Sequence, residues 1–377
     1  MKVAIVHDYL NQYGGAERVL EQISAVYPQA DIKTAIHDPD RMPASYRSLS
    51  IEATWLNRLP RVNRYHRLFL PVYPRAFESI DLSGYDLVVA SSSGFAHGVI
   101  VGPKTVNVCY CHSPPRFLWD YENYVAREEI SPLRQALLRP MLPRLRKWDR
   151  MSADRTDAWI TTSELVKERV ELNYGKTSTI IPPSVDVSRF EVGEGPGQHY
   201  LMLMRMVGWK RPDIVVEACT QRNLPLVVAG DGRSLEGLRK IAGPSVRFVG
   251  RVNDEQMRPL YRDSKALILP SEEDFGITPL EAMASGRPVI AFGKGGVLDT
   301  VIPGVTGVFF EQQTKASILD AIDVFERTQF DAAAIRRHAD RFDNMIFRDR
   351  LKTFVDEQIA LKRGARRPDA ALQLADA

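Results

Sequence analysis

A chain of 377 residues with 44% hydrophobic and 26% charged residues is long enough for about two globular domains, each burying its own core, and its composition excludes intrinsic disorder. The formal net charge of +3 is too small to mark a nucleic-acid binder, so any basic partner surface is local. The three cysteines, Cys109, Cys111 and Cys219, are odd in number and lack a repeated Cys-x-x-Cys spacing; this argues against a disulfide framework or a zinc site and makes a reduced cytoplasm the default.

The N-terminus passes straight into an apolar strand at residues 3–6 and reaches His7 and Asp8 too soon to hold a signal-peptide core. No apolar stretch approaches the roughly 18 residues of a spanning helix. The turn after the strand carries Gly14 and Gly15 immediately before a helix predicted over 16–26, and two such glycines let a backbone approach a phosphate closely. The turn lacks the third glycine and the acidic ribose partner of a dinucleotide fingerprint, so it supports a nicotinamide cofactor poorly. A helix start that simply needs a flexible turn fits as well.

Residues 58–70 hold Arg58, Arg61, Arg64 and Arg67 among aromatic and aliphatic residues with no acid, and the stretch from Arg134 to Arg150 adds Arg139, Arg144, Arg146 and Lys147. With Trp55, Leu68 and Phe69 nearby, these cations suit an anionic membrane surface; ordinary amphipathic helices with solvated arginines fit equally. Strands are predicted at 87–90 and 106–110. The second leads to His112, followed by Ser113-Pro114-Pro115, which places the imidazole at a strand's carboxyl end. A lone histidine is usually structural, but across a cleft from acids it can hydrogen-bond a sugar.

Strand–helix alternation of this kind is α/β order with a mainly parallel sheet. Residues 180–186 run into a Gly-rich stretch at 193–197, a shift that marks a hinge or linker with a boundary near 183. The pattern then repeats, with strands at 200–204, 226–229, 246–249, 266–269 and 288–291. After the first come Arg205 and Lys210, a planar fork and a point charge suited to a diphosphate. Gly230-Asp231-Gly232 and Gly250-Arg251-Val252 follow the next two. Open α/β sheets bind ligands at this carboxyl edge, so the recurrence favours a site over a solvated pair.

After 266–269 comes the run from Ser271 to Gly286, in which Glu273 and Glu281 flank Phe275-Gly276 and a predicted helix from Pro279. Gly276, Ile277 and Thr278 would present backbone N–H groups to an anion at that helix start. A carboxylate beside a phosphate is repelled, but one reaching past it accepts sugar hydroxyls, so a sugar nucleotide fits better than free phosphate. Alone, the run reads equally as an acidic loop capping a helix. A long helical pattern continues from 339 to 362, and the Ala-rich end at 363–377 is expected to be disordered.

Taken together, these residues resemble the retaining glycosyltransferases of family 4 with the GT-B fold, over nearly the whole chain. Glu273 and Glu281 match that family's Glu-x7-Glu signature, Arg205 and Lys210 its diphosphate-binding pair, and Gly14-Gly15 its first-domain glycine turn. The resemblance implies two Rossmann-like domains facing across a cleft. An acceptor-binding domain would span 1–182 and a nucleotide-sugar-binding domain 183–341, with a helix over 342–362 crossing back to the first domain. It further implies that Glu273 contacts the donor sugar, Glu281 the ribose, and the amides around Phe275 to Thr278 the diphosphate and sugar. His112 would lie near the transferred sugar and Arg251-Val252 by the base.

The wording from Glu273 to Gly286, continued through Lys294 to Gly296, looks most like bacterial polysaccharide mannosyltransferases that use GDP-mannose. The implied reaction transfers mannose, or a related sugar, to a lipid-diphosphate-linked saccharide at the cytoplasmic face of the membrane, with no metal and no nucleic acid. GDP-perosamine or a UDP-sugar as donor stays open. So do a sugar-nucleotide epimerase, which needs acid/base groups and no lipid acceptor, and a non-catalytic sugar-nucleotide binder.

Overall fold

The computed structural model describes residues 1–128 and 131–364. The tail expected to be disordered therefore lies, from 365 onward, outside the described residues, as do the side chains of Arg64, Arg67 and Arg134. Among the described residues no helix is long and apolar enough to cross a membrane.

Two all-parallel sheets form the molecule. The first has seven strands: β1 (Val3–His7), β2 (Asp31–Thr34), β3 (Ile51–Ala53), β4 (Leu87–Ser92), β5 (Val106–Cys111), β6 (Ala158–Thr161) and β7 (Ser178–Ile180). Their order is β3-β2-β1-β4-β5-β6-β7. The second has six: β8 (His199–Leu203), β9 (Leu226–Ala229), β10 (Val246–Gly250), β11 (Ser264–Leu269), β12 (Val289–Phe292) and β13 (Gly307–Phe310), in the order β10-β9-β8-β11-β12-β13. The central strands are buried along their whole length, β1 and β4 without an exposed position. They read as continuous apolar runs because helices cover both faces of a parallel sheet. The strands missing from the sequence reading, such as β2, β3 and β7, are short and interrupted by polar residues, and β3 and β7 close the edges of their sheet.

The chain crosses between the two sheets twice, and the crossings lie side by side. Val185 N donates to Phe342 O at 3.0 Å, and Ser184 Oγ donates to Asn344 Oδ1 at 2.8 Å. The helix expected over 342–362 runs Asn344–Gly364 and buries Phe347, Leu351, Val355 and Ile359 in the first domain's core, against Val3, Ile5 and Tyr110 among others. Lys362 anchors its far end on Thr105 O (2.6 Å) and Asp157 (2.5 Å).

The Gly-rich stretch read as a hinge is instead pinned to the second domain. Arg287, 4% exposed, donates to Gly195 O at 2.7 Å and to Glu194 O at 3.4 Å, and Gly193 N donates to Ser285 O at 3.0 Å. A Cβ at Gly193 would sit 2.0 Å from Arg262 O, so glycine there serves close packing rather than flexibility.

Candidate active site between the two domains

In each sheet the strand order reverses once, at β1/β4 and at β8/β11. Connections leave the sheet on opposite sides at such a point, which opens a crevice at the carboxyl ends. The two crevices face each other and merge into one cleft of ≈ 1810 Å³. Into it the fold brings every residue singled out for the donor or the transferred sugar: Gly14, Gly15 and His112 from the first domain, and Arg205, Lys210, Arg251, Val252, Glu273, Phe275, Gly276, Ile277, Thr278 and Glu281 from the second.

The glycine turn and the helix start oppose each other directly. A Cβ on Gly15 would lie 3.4 Å from Ile277 Cδ1, so the Gly14-Gly15 backbone meets the first turn of the helix Ile277–Ala284. That helix begins two residues earlier than predicted. Its N-cap, Gly276, has φ 88°, a left-handed conformation that favours glycine. An α-helix leaves its first N–H groups without intrahelical acceptors, so the amides at 276–278 are placed for an anion between the domains.

Glu273 is held from three sides. Its Oε1 accepts Ser271 Oγ at 2.6 Å and pairs with Lys210 Nζ at 2.8 Å, while its carbonyl accepts Gly296 N at 2.9 Å. The neighbouring Gly295-Gly296 pair permits this approach: a Cβ at Gly295 would sit 2.4 Å from Glu273 O, and one at Gly296 2.3 Å from Asp274 O. Lys210, expected on a diphosphate, here neutralises Glu273.

Glu281 is 2% exposed, and both of its oxygens are engaged. Arg18, from the first domain, donates to Oε1, and Tyr261 OH donates to Oε2 at 2.8 Å. Arg18 also reaches Asp254 at 3.5 Å, and Arg189 pairs with the same carboxylate at 2.8 Å. Neither Arg18 nor Tyr261 carried a motif in the sequence. Arg18 sits on the first-domain helix Gly15–Val26 and Tyr261 on the second-domain helix Asp254–Arg262, and only tertiary packing joins them to Glu281.

Asp274 fastens the domains beside Glu273. Arg116 and Arg169, both from the first domain, pair with its carboxylate, and Ser163 Oγ donates to its carbonyl at 2.6 Å. Burial pushes the Asp274 carboxyl up, but the two guanidiniums outweigh it and hold the group below the usual carboxylate range. His112 is set into the cleft wall; desolvation and the neighbouring His7 push its pKa down to about 3, against an opposing pull from Asp274. The imidazole is therefore neutral at ordinary pH, suited to hydrogen bonding rather than to general acid work.

The basic, acid-free segment follows β3 along the same carboxyl edge and touches the end of β1, where Asn11 Nδ2 donates to Asn63 O at 3.1 Å. Arg58 and Arg61 are exposed, as are Trp55 (41%), Tyr65 (42%) and Leu68 (62%). In the second basic stretch one cation turns inward and another pairs with an acid at the surface. Arg146 Nε donates to Leu118 O at 2.6 Å, and Arg139 pairs with Glu122 at 3.1 Å. Among the described residues no group of three or more His, Cys, Asp or Glu side chains is placed to hold a metal ion.

A family model described as Glycosyltransferase Family 4 matches residues 13–189, and one described as Glycosyl transferases group 1 matches residues 187–342. A D-inositol 3-phosphate glycosyltransferase of Geodermatophilus obscurus is 31% identical over 225 residues, covering 50% of this chain and 49% of the relative. A GDP-mannose-dependent alpha-(1-6)-phosphatidylinositol monomannoside mannosyltransferase of Mycobacterium tuberculosis is 29% identical over 216 residues, covering 48% and 56%. The chain thus matches about half the length of these two curated relatives. The human alpha-1,3/1,6-mannosyltransferase ALG2 is 27% identical over 369 residues, covering 83% of this chain and 85% of the relative. Among solved structures, HepE of Anabaena in complex with UDP and glucose superposes with a TM-score of 0.71 at 17% identity, over 94% of this chain and 99% of that one. Sucrose-phosphate synthase of Thermosynechococcus elongatus gives 0.71 at 20% identity, over 96% and 100%. At these identities the likeness establishes the fold, which is GT-B.

Proposed function

The chain belongs to the family 4 glycosyltransferases, with a group 1 glycosyltransferase domain as its second half, and from that premise we propose a retaining hexosyltransferase that moves mannose from GDP-mannose to a lipid-diphosphate-linked saccharide. The observation that carries the reading is the convergence of Lys210, Glu273, the amides at 276–278 and the Gly14-Gly15 turn on one interdomain cleft. Mannose is supported by the similarity to the mycobacterial and human mannosyltransferases, and GDP by the mycobacterial one. The place in bacterial cell-surface polysaccharide assembly comes from the wording of the run from Glu273 to Gly286.

In this reading the diphosphate lies between the glycine turn and the helix start, and Lys210 exchanges part of its bond to Glu273 for the phosphate. Arg205 and Lys210 then offset the charge that grows on the leaving diphosphate as the glycosidic bond breaks, a preorganised electrostatic effect that takes over a metal's role. Glu273, released in part by Lys210 at Oε1, orients the sugar hydroxyls. The acceptor hydroxyl enters on the face the diphosphate leaves, and its proton passes to the departing phosphate oxygen, so the step needs no separate enzyme base. Glu281 receives ribose hydroxyls as Arg18 yields its place, and Arg251-Val252 border the base. The exposed cations and apolar side chains of the segment after β3 rest on an anionic membrane at its cytoplasmic face, next to the edge where a lipid-linked acceptor enters.

The test is a transfer assay on a membrane extract with labelled GDP-mannose, GDP-perosamine and UDP-sugars, run with and without EDTA. Transfer from GDP-mannose that survives EDTA, and falls about a hundredfold or more in Glu273→Gln with an unchanged melting temperature, supports the reading. Transfer from UDP-sugars alone would overturn the donor, isomerisation without acceptor would indicate an epimerase, and binding without transfer a sensor.

A further inference from the structure

Arg18 stands where the proposed reaction places the ribose of the donor. Its guanidinium donates to Glu281 Oε1 from the first domain, while Tyr261 OH donates to Oε2 at 2.8 Å from within the second. The two bonds differ in permanence. Tyr261 is 0% exposed, and burial together with the Glu281 charge pushes its phenol up, so it stays a donor. Arg18 and Glu281 both line the cleft, and the arginine side chain is 32% exposed against 3% for the glutamate. The guanidinium therefore occupies the approach to Oε1 from the cleft.

Only the side chain of Arg18 is free to move. Its backbone N–H donates to Gly14 O at 3.1 Å, which closes the first turn of the helix Gly15–Val26 on the glycine turn. A second carboxylate lies within reach of the guanidinium. Arg18 Nη2 is 3.5 Å from Asp254 Oδ1, an ion pair rather than a hydrogen bond, and Arg189 holds the other oxygen of Asp254 at 2.8 Å. An arginine that leaves Glu281 thus keeps a counter-charge. Glu281 keeps Tyr261 and takes what the ligand offers. The vicinal diol of a ribose offers two hydroxyl donors, and hydrogen bonds to a carboxylate are strong. Against them stands the loss of the cation beside a buried carboxylate, so the exchange runs near balance.

We propose that Arg18 is an autoinhibitory competitor of the nucleotide: its guanidinium and the ribose diol exclude each other at Glu281, so this cation lowers the affinity of the cleft for an anionic ligand. The proposal rests on the functional reading above for the ribose at Glu281. It reverses the simple electrostatic expectation, in which removing a positive side chain beside a diphosphate weakens binding. It also speeds the departure of the product, since Arg18 returns to Glu281 as the nucleoside diphosphate leaves.

The experiment is calorimetric titration of the full chain, as wild type and as Arg18→Gln, with GDP, UDP and their 2′,3′-dideoxy counterparts, alongside melting curves that show each protein folded. Arg18→Gln is expected to bind the preferred ribonucleotide about tenfold more tightly than wild type, and to gain nothing with the dideoxy analogue, which leaves Glu281 untouched. In wild type alone the two hydroxyls are expected to change Kd by less than about thirtyfold, because their gain at Glu281 is offset by the bond Arg18 gives up. A larger wild-type preference would overturn the proposal even if the variant did not fold. Ribonucleotide binding by Arg18→Gln that is weaker or unchanged would overturn it as well, as would an equal gain with the dideoxy analogue. If neither nucleotide binds either protein, the competition and the functional reading fall together. Tighter binding by the variant, with no sugar transferred by the wild type from any donor, would leave the competition standing and remove the transferase reading.

Discussion

The two sheet edges that face each other across the cleft solve opposite electrostatic problems. On the first domain's side Asp8, Glu17 and His112 are set into the wall, while Arg18, Arg116 and Arg169 reach across to carboxylates of the second domain. Asp8 accepts the N–H groups of Ser93, Phe95 and Ala96 at 2.5, 2.7 and 2.8 Å, Glu17 accepts Gly14 N at 2.7 Å, and His112 is held neutral. On the second domain's side, Lys210 and Glu273 stay partly exposed, at 17% and 18%, and are bonded chiefly to each other and to Ser271. In the proposed reaction such a pair exchanges partners when the diphosphate and the sugar arrive, because each ion recovers in the ligand what it gives up in its neighbour. The first edge supplies shape, a neutral imidazole and the arginines that fasten the domains, and the second supplies the Lys210–Glu273 pair.

The largest effect that would break this contrast lies in the charge-bearing edge. Lys210→Ala is expected to lower kcat/KM by about 10²–10³, the range for removing one preorganised group that offsets developing charge. Steady-state assays with the preferred donor read this, and a fall of less than about fivefold would show that the second edge does not carry the leaving group's charge. Asp274→Asn tests the fastening between the edges. It leaves Arg116 and Arg169 facing each other without their carboxylate and is expected to cost about 1–2 kcal/mol of closure, reduced from a fully buried pair because Asp274 is 24% exposed. Because the folded carboxyl is held below its unfolded value, its contribution is complete above that unfolded value and disappears as pH falls through the folded one. Small-angle scattering should therefore show wild-type closure weakening only in acid, with the Asp274→Asn protein already loosened at neutral pH.

The smallest expected effect concerns the outer rim of the first edge. Reversing charge at Arg58 and Arg61 should weaken binding to anionic vesicles several-fold, at roughly 1 kcal/mol per cation near the surface, while leaving transfer to a soluble acceptor analogue in place. Unchanged vesicle binding would confine the role of that edge to the cleft.

The strands and the motifs at their ends were legible in the sequence because each rests on local pattern. A buried parallel strand is a continuous apolar run, and the residues after it fall at a carboxyl edge whichever way the sheet is assembled. Glu273, Lys210 and Gly276 were readable on that basis. Arg18 on Glu281, Tyr261 on the same carboxylate and Arg116 with Arg169 on Asp274 were not, since each is joined across 20 residues or more with no periodicity to announce it. The capping position of Glu17, three residues after Gly14, was a usable local signal, but its reach to His7 was not.

By itself, then, the sequence determined that there are two α/β halves and which turns face the ligand edge, because burial and backbone geometry write those features residue by residue. Only the tertiary structure decided that the two edges close on one another, that Lys210 pairs with Glu273, and that Arg18 and Tyr261 meet on Glu281. Those depend on strand order and domain packing, which bring together side chains that no spacing along the chain connects.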